Sequence, residues 1–193
     1  SDDCAAPMPI SGQGTFPYDN SAATNGAEGQ NEYLCYQFGS SAVDNDVWFN
    51  WTADVTGTAI VNTCGFTTLD TKIAAYPDNG GGCPAVGSVL DCNDDSCSLE
   101  SQVSFACNNA SNYLLQIGSF PGATGGTGSI GVTINTPITN DECATATAIA
   151  GQGSFPYTNA GGSTSAEGQT ETICYQFGSS AVVNDVWFVW TAD

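Results

Sequence analysis

In 193 residues the chain sets twenty carboxylates against one lysine, with no arginine and no histidine, for a formal net charge of −19. That balance excludes nucleic acid and anionic membrane surfaces as partners, because nothing present can neutralise phosphate, and it favours cations. It also removes imidazole bases, histidine-bearing zinc sites and arginine clamps on phosphate, and no run approaches the roughly 18 apolar residues of a membrane span, so neither an enzyme nor membrane insertion is expected.

Residues 1–54 return 139 positions later, at 140–193, with 34 of 54 identical. The longest shared run, Cys35-Tyr36-Gln37-Phe38-Gly39-Ser40-Ser41-Ala42-Val43, recurs at 174–182, and Asp46-Val47-Trp48-Phe49 recurs at 185–188. One domain is therefore expected as a complete copy, 1–138, followed by a truncated copy, 139–193. The truncated copy lacks most of its core strands, which further sequence or a neighbouring chain is expected to supply.

Along the complete copy, short alternating stretches lie between Gly, Pro, Asn and Asp, and helical periodicity is absent, which predicts an all-β fold. The first 40 residues, broken by Gly12, Gly14 and Pro17, predict an ordered coil that wraps a sandwich and is pinned by Phe16, Tyr18 and a disulfide. Strands are predicted at 47–53, 58–63, 71–76, 88–91, 102–107, 112–118 and 129–135. In the last of these Ile130, Val132 and Ile134 share one face, as Val103 and Phe105 do in theirs, so these strands are buried on one side. Seven short strands separated by turns imply a two-sheet β-sandwich of jelly-roll type. Val47, Phe49 and Trp51 fall on its core side. Trp48 falls on the outer side, either under the wrap or free to stack on sugar. Thr136-Pro137 marks a short, stiff linker between copies.

Nine cysteines in a chain rich in Gly, Ser, Thr and Asn predict disulfides formed outside the cytoplasm. The chain starts at Ser1 with neither Met nor an apolar leader, which fits a processed or excerpted secreted protein. Joint retention pairs Cys4 with Cys35 and Cys143 with Cys174. Short spacing pairs Cys64 with Cys83 and Cys92 with Cys97. Cys107 is left over, either as a buried thiol or as a cross-link to another chain or unit.

Asp91-Cys92-Asn93-Asp94-Asp95-Ser96 is dense in hard oxygen donors, and Asp70 precedes the strand leading into the same hairpin. Asp70, Asn93, Asp94 and Asp95 are the candidate ligands, and calcium, which takes six to eight oxygens in flexible geometry, is the candidate ion; a solvated polar turn is the alternative. Asp44-Asn45-Asp46 is a weaker second site, because the copy has Val183 in place of Asp44. Asn50-Trp51-Thr52 and Asn109-Ala110-Ser111 match the N-glycosylation sequon.

The run Leu69-Asp70-Thr71-Lys72-Ile73-Ala74-Ala75-Tyr76, then Asn93-Asp94-Asp95, then Asn112-Tyr113-Leu114-Leu115-Gln116-Ile117-Gly118 and the Gly-rich last strand resemble the bacterial pre-peptidase C-terminal domain. They are most similar to its cysteine-rich tandem form. The resemblance covers about 45–135 and implies a jelly-roll sandwich, export, binding to matrix polymers and, in some relatives, calcium held by acidic loops; it brings no catalytic residues.

Near-copies joined by stiff linkers, each with disulfides and nearly free of trypsin sites, are expected of a structural repeat in an extracellular bacterial fibre or giant surface protein. Such a repeat has copies of itself as partners in a tandem or polymeric array. The alternative is a carbohydrate- or matrix-binding module, an adhesin or an accessory domain of a secreted enzyme, with polysaccharide as partner.

Overall fold

A computed structural model describes residues 1–80 and 82–192 and divides the chain into two compact units, Ser1–Thr136 and Pro137–Asp193. Among the described residues the first unit contains nine strands: β1 (Met8–Ser11), β2 (Gly14–Asp19), β3 (Asp44–Thr52), β4 (Gly57–Asn62), β5 (Thr71–Pro77), β6 (Asp91–Asp94), β7 (Gln102–Cys107), β8 (Asn112–Ser119) and β9 (Thr127–Asn135). They form two sheets, ordered β1-β3-β8-β5-β6 and β2-β9-β4-β7. Without β1 this is the eight-strand order of a jelly roll, in which from β2 to β9 the chain changes sheet at every connection except the β5–β6 hairpin.

Alternation explains the single-faced strands. In β7, Val103, Phe105 and Cys107 are buried while Gln102, Ser104 and Ala106 are exposed. Val47, Phe49, Trp51, Ile73, Leu115, Ile117, Val132 and their neighbours fill the space between the sheets, each large side chain contributing about 1.5–3 kcal/mol by leaving water. β5 and β8 are buried on both faces. Their outer faces, with Trp48, join a second cluster of Cys4, Cys35, Trp48, Ala74, Tyr76, Cys92 and Leu114. The N-terminal segment is what covers it, so Trp48, 1% exposed, is packed against Tyr76 under the wrap and offers no face to a sugar. The wrap lies so close that Gly29, at φ +72°, has no room for a side chain against Gln116 of β8.

The wrap also carries order that the sequence reading left out. β1 runs parallel to β3, pairing Met8 with Phe49, and β2 pairs antiparallel with β9, supplying an edge strand of the second sheet. These short edge strands carry no strong alternation of their own. The strand expected at 88–91 lies instead at Asp91–Asp94. Ser88 is held in a turn by Ala85, and the ladder with β5 starts at Ala75–Asp91 and ends at Lys72–Asp94.

The three disulfides among the described residues of the first unit differ from the pairs expected by joint retention and by spacing: they are Cys4–Cys83, Cys35–Cys92 and Cys64–Cys97, spanning 79, 57 and 33 positions. Short loops were the wrong criterion, because the wrap lays Cys4 and Cys35 over the β5–β6 hairpin and not over each other. Long closures also restrict the unfolded chain most, each contributing about 3–5 kcal/mol in the chain-entropy account. Cys107 is free and 2% exposed within the main core, and burial pushes its thiol pKa up. It is a small core hydrophobe, out of reach of a cross-link while the unit is folded.

In the second unit, 3₁₀ turns at Cys143–Thr145 and Thr172–Cys174 accompany two strands, β10 (Thr147–Ala150) and β11 (Phe188–Thr191). These pair in parallel with Thr147 opposite Phe188, the β1–β3 register repeated. Cys143 and Cys174 are free and exposed rather than joined to each other. Their counterparts Cys4 and Cys35 bond to Cys83 and Cys92, for which residues 140–193 contain no equivalent.

Candidate metal centre

The β5–β6 ladder sets the site. Lys72 and Asp94 are directly opposite each other, and Asp70, two residues before Lys72, falls on the same side of the sheet by the two-residue period of a strand. Asp95 follows in a left-handed backbone conformation, φ +58°, which turns the chain out of the strand. One oxygen from each of Asp70, Asp94 and Asp95 lies within 4.8 Å of the others. Asp94 is buried, Asp70 is half-buried and Asp95 is exposed, so the cluster opens to solvent on the Asp95 side.

Asn93, expected among these ligands, is turned away. Its Oδ1 accepts the Gln102 backbone N–H at 3.0 Å, and Asp91 Oδ2 accepts that of Ser104 at 2.7 Å. Alternation sends Asp91 and Asn93 to the side opposite Asp94, where they cap the outer edge of β7 and close the gap between the sheets. Among the described residues the other cluster with metal-ligating atoms, Asp3, Cys4 and Cys83, has both sulfurs in a disulfide. Of the weaker acidic site, Asp46 is fully buried and structural. Its carboxylate accepts the Trp48 indole N–H at 2.7 Å, the Gln116 amide at 2.9 Å and the Gly26 backbone N–H at 3.1 Å.

Lys72 is the residue that sequence reasoning missed. The only lysine of the chain is fully buried. Its Nζ donates to the Ser40 carbonyl at 3.0 Å, lies 3.7 Å from Asp94 Oδ2 and stands 5.7 Å from the centre of the Phe120 ring. Its place opposite Asp94 was the available signal, hidden by the misplaced strand. Burial pushes the Asp94 pKa up to about 6, with the Lys72 charge pulling it back and Asp95 and Asp70 raising it further. Burial raises Asp70 as well, with help from the Asp95 charge, and lowers Lys72 against the pull of Asp94. All three shifts describe charge brought out of water without full compensation.

The wrap contacts this site. Gln37 lies against the free edge of β6, donating to the Cys92 carbonyl at 3.0 Å and accepting the Asp94 N–H at 3.0 Å. Cys35 bonds to Cys92 in the same strand. Of the two sequons, Asn50 is half-buried with its amide donating to Asp78, whereas Asn109 is exposed in the β7–β8 turn.

No family profile matches the chain, and no curated protein does. Solved structures similar to it include the pre-peptidase C-terminal domain of a Bacillus anthracis collagenase, at 7% identity and TM-score 0.43 over 66% of this chain and 95% of that one. Others are PliG, a periplasmic inhibitor of g-type lysozyme from Aeromonas hydrophila, at 12% identity and TM-score 0.36 over 67% and 100%, and CorA, a surface-associated copper-binding protein of Methylomicrobium album BG8, at 9% and 0.38 over 67% and 99%. None reaches a TM-score of 0.5.

Proposed function

We propose that this chain belongs to an extracellular structural array, a bacterial fibre or giant surface protein, in which the domain of about 139 residues is the repeated unit. The observation that supports the reading is the repetition of one structural network. Trp48 bonds to Asp46 and Trp187 to Asp185; Gln30 holds Val43 and Gln169 holds Val182; Trp51 donates to the Gly12 carbonyl and Trp190 to that of Gly151. Three disulfides in the first unit suit material that persists in an oxidising environment outside the cell. Electron microscopy of the native material tests it. Units at a constant spacing along a filament are expected, and a single copy attached to an unrelated secreted enzyme would contradict it.

One observation favours the second reading, a matrix- or carbohydrate-binding module. Tyr36 and Phe38 are 65% and 70% exposed, Phe38 at a left-handed φ of +47°, and Tyr175 and Phe177 repeat the arrangement with φ +51° at Phe177. Rings held outward in this way offer faces for sugar stacking. Retardation on a neutral polysaccharide gel that is lost in a Tyr36→Ala, Phe38→Ala variant would favour this reading over the array.

A further inference from the structure

Asp94 stands out among the carboxylates of the molecule. It is 3% exposed, neither of its side-chain oxygens accepts a hydrogen bond, and its nearest cation is 3.7 Å away and already donating to Ser40. An ionised carboxylate in that state is costly unless something else binds it. Asp70 and Asp95 each bring an oxygen within 4.8 Å of one from Asp94 and of each other, the span that two oxygens about 2.4 Å from a shared ion can have. Three carboxylates against one ammonium leave two negative charges, the charge of one divalent cation.

We propose that Asp70, Asp94 and Asp95 bind a single calcium ion beside Lys72, and that the ion clamps the wrap segment 35–40 onto β5 and β6. Every donor is a hard oxygen, with no imidazole or free thiol at hand, which disfavours zinc and copper. The set is open toward solvent at Asp95, leaving positions for water, and three protein carboxylates suit the larger, geometrically flexible shell of calcium better than magnesium, which is usually held by one or two. Lys72 stays as the fixed monovalent charge, holding Ser40 to the site while Gln37 and the Cys35–Cys92 bond hold the strand next to it. Binding at Asp94 therefore orders the wrap. Residues 140–193 contain no counterpart of Asp70, Asp94 or Asp95, so one ion is expected for each complete unit, here the first.

The test is calcium chloride titrated calorimetrically into the full chain after chelator treatment, with hydrogen exchange read at 35–40. One ion per chain and slower exchange in that segment are expected. Asp95→Asn, at an exposed position where folding is not at stake, should weaken binding by about tenfold or more through the lost ligand charge. Asp94→Asn should abolish it, and Asp3→Asn should leave it unchanged. No binding heat and no change in exchange at millimolar calcium would overturn the proposal, as would undiminished binding in Asp95→Asn. An intact mass lower by one water would also overturn it, since Lys72 and Asp94 would then have condensed to an amide. None of these outcomes bears on the spacing of units in the native material, so the array reading fails or stands separately.

Discussion

Two near-copies of one sequence segment occur in this molecule in two structural settings. In the first unit Phe49 and Trp51 lie beside β8 and are buried against the facing sheet, Cys4 and Cys35 are bonded, and residues 14–19 form a strand against β9. In the second, Trp190 is 58% exposed, Cys143 and Cys174 are free, and no strand forms at 153–158. What persists is the local network: the parallel strand pair in its register, the Asp–Trp bond, the glutamine that braces the loop. Side chain-to-backbone bonds within about 50 residues are thus encoded by the segment itself. Burial and cross-linking depend on strands that arrive later in the repeat. The two aspartates register the difference: burial raises Asp46, which also faces Gln116 of β8, whereas the Ser165 hydroxyl lowers Asp185.

The largest effect should come from the bond that ties wrap to hairpin. Replacing Cys35 and Cys92 by alanine should cost the first unit about 2–5 kcal/mol in denaturant unfolding, while Cys174→Ala should leave the unfolding curve unchanged. Equal effects would mean that Cys174 is engaged as Cys35 is.

A smaller loss is expected from Asp46→Ala, which strands the donors of Trp48, Gln116 and Gly26; roughly 3 kcal/mol is the scale for leaving such groups unpaired in the interior. Asp185→Ala should disturb only exchange around 163–165 and 187, where its bonds lie. An equal global loss from both variants would erase the distinction between the copies.

The aspartates should also respond to pH in opposite senses. A raised folded pKa favours the protonated form, so the Asp46 contribution is full below its unfolded value near 3.9 and is lost as pH rises through the folded pKa. The lowered pKa of Asp185 makes its contribution present above that unfolded value and lost as pH falls through the folded one. Asp46→Asn should therefore flatten a decline in first-unit stability as pH rises above about 4, measured by denaturant midpoint at each pH. A decline of the same slope in the variant would show that Asp46 does not cause it.

The mildest probe is trypsin, since the single basic residue sits fully buried in the first unit. Cleavage after Lys72 reports opening of that unit alone. It should be negligible in the oxidised protein and rapid after reduction; rapid cleavage without reductant would place Lys72 in a mobile segment.

Where alternation was strong the sequence was readable: the strand expected at 102–107 is β7, and the core face of Val47, Phe49 and Trp51 is the buried one. Trp48 under the wrap and the buried Cys107 thiol were also among the expected arrangements. Elements defined by partners were not readable. β1 and β2 are edge strands whose Gly- and Pro-containing sequences become strands only against β3 and β9. β6, built of Asp, Cys and Asn, has little intrinsic strand preference and is fixed by β5, Gln37 and a disulfide. At the candidate centre, Asp70, Asp94 and Asp95 were visible as a concentration of charge. The turning of Asn93 toward β7 and the approach of Lys72 required the register, which spacing alone does not supply.

Hydrogen exchange across the two copies of the core strand tests the account most directly. Backbone amides of 47–52, paired with β8 and in part with β1, should exchange only with global unfolding of the first unit, while those of 188–191, paired only with β10, should exchange orders of magnitude faster. Equal, slow exchange in both segments would contradict it, because the second copy would then be closing its core without the strands that close the first.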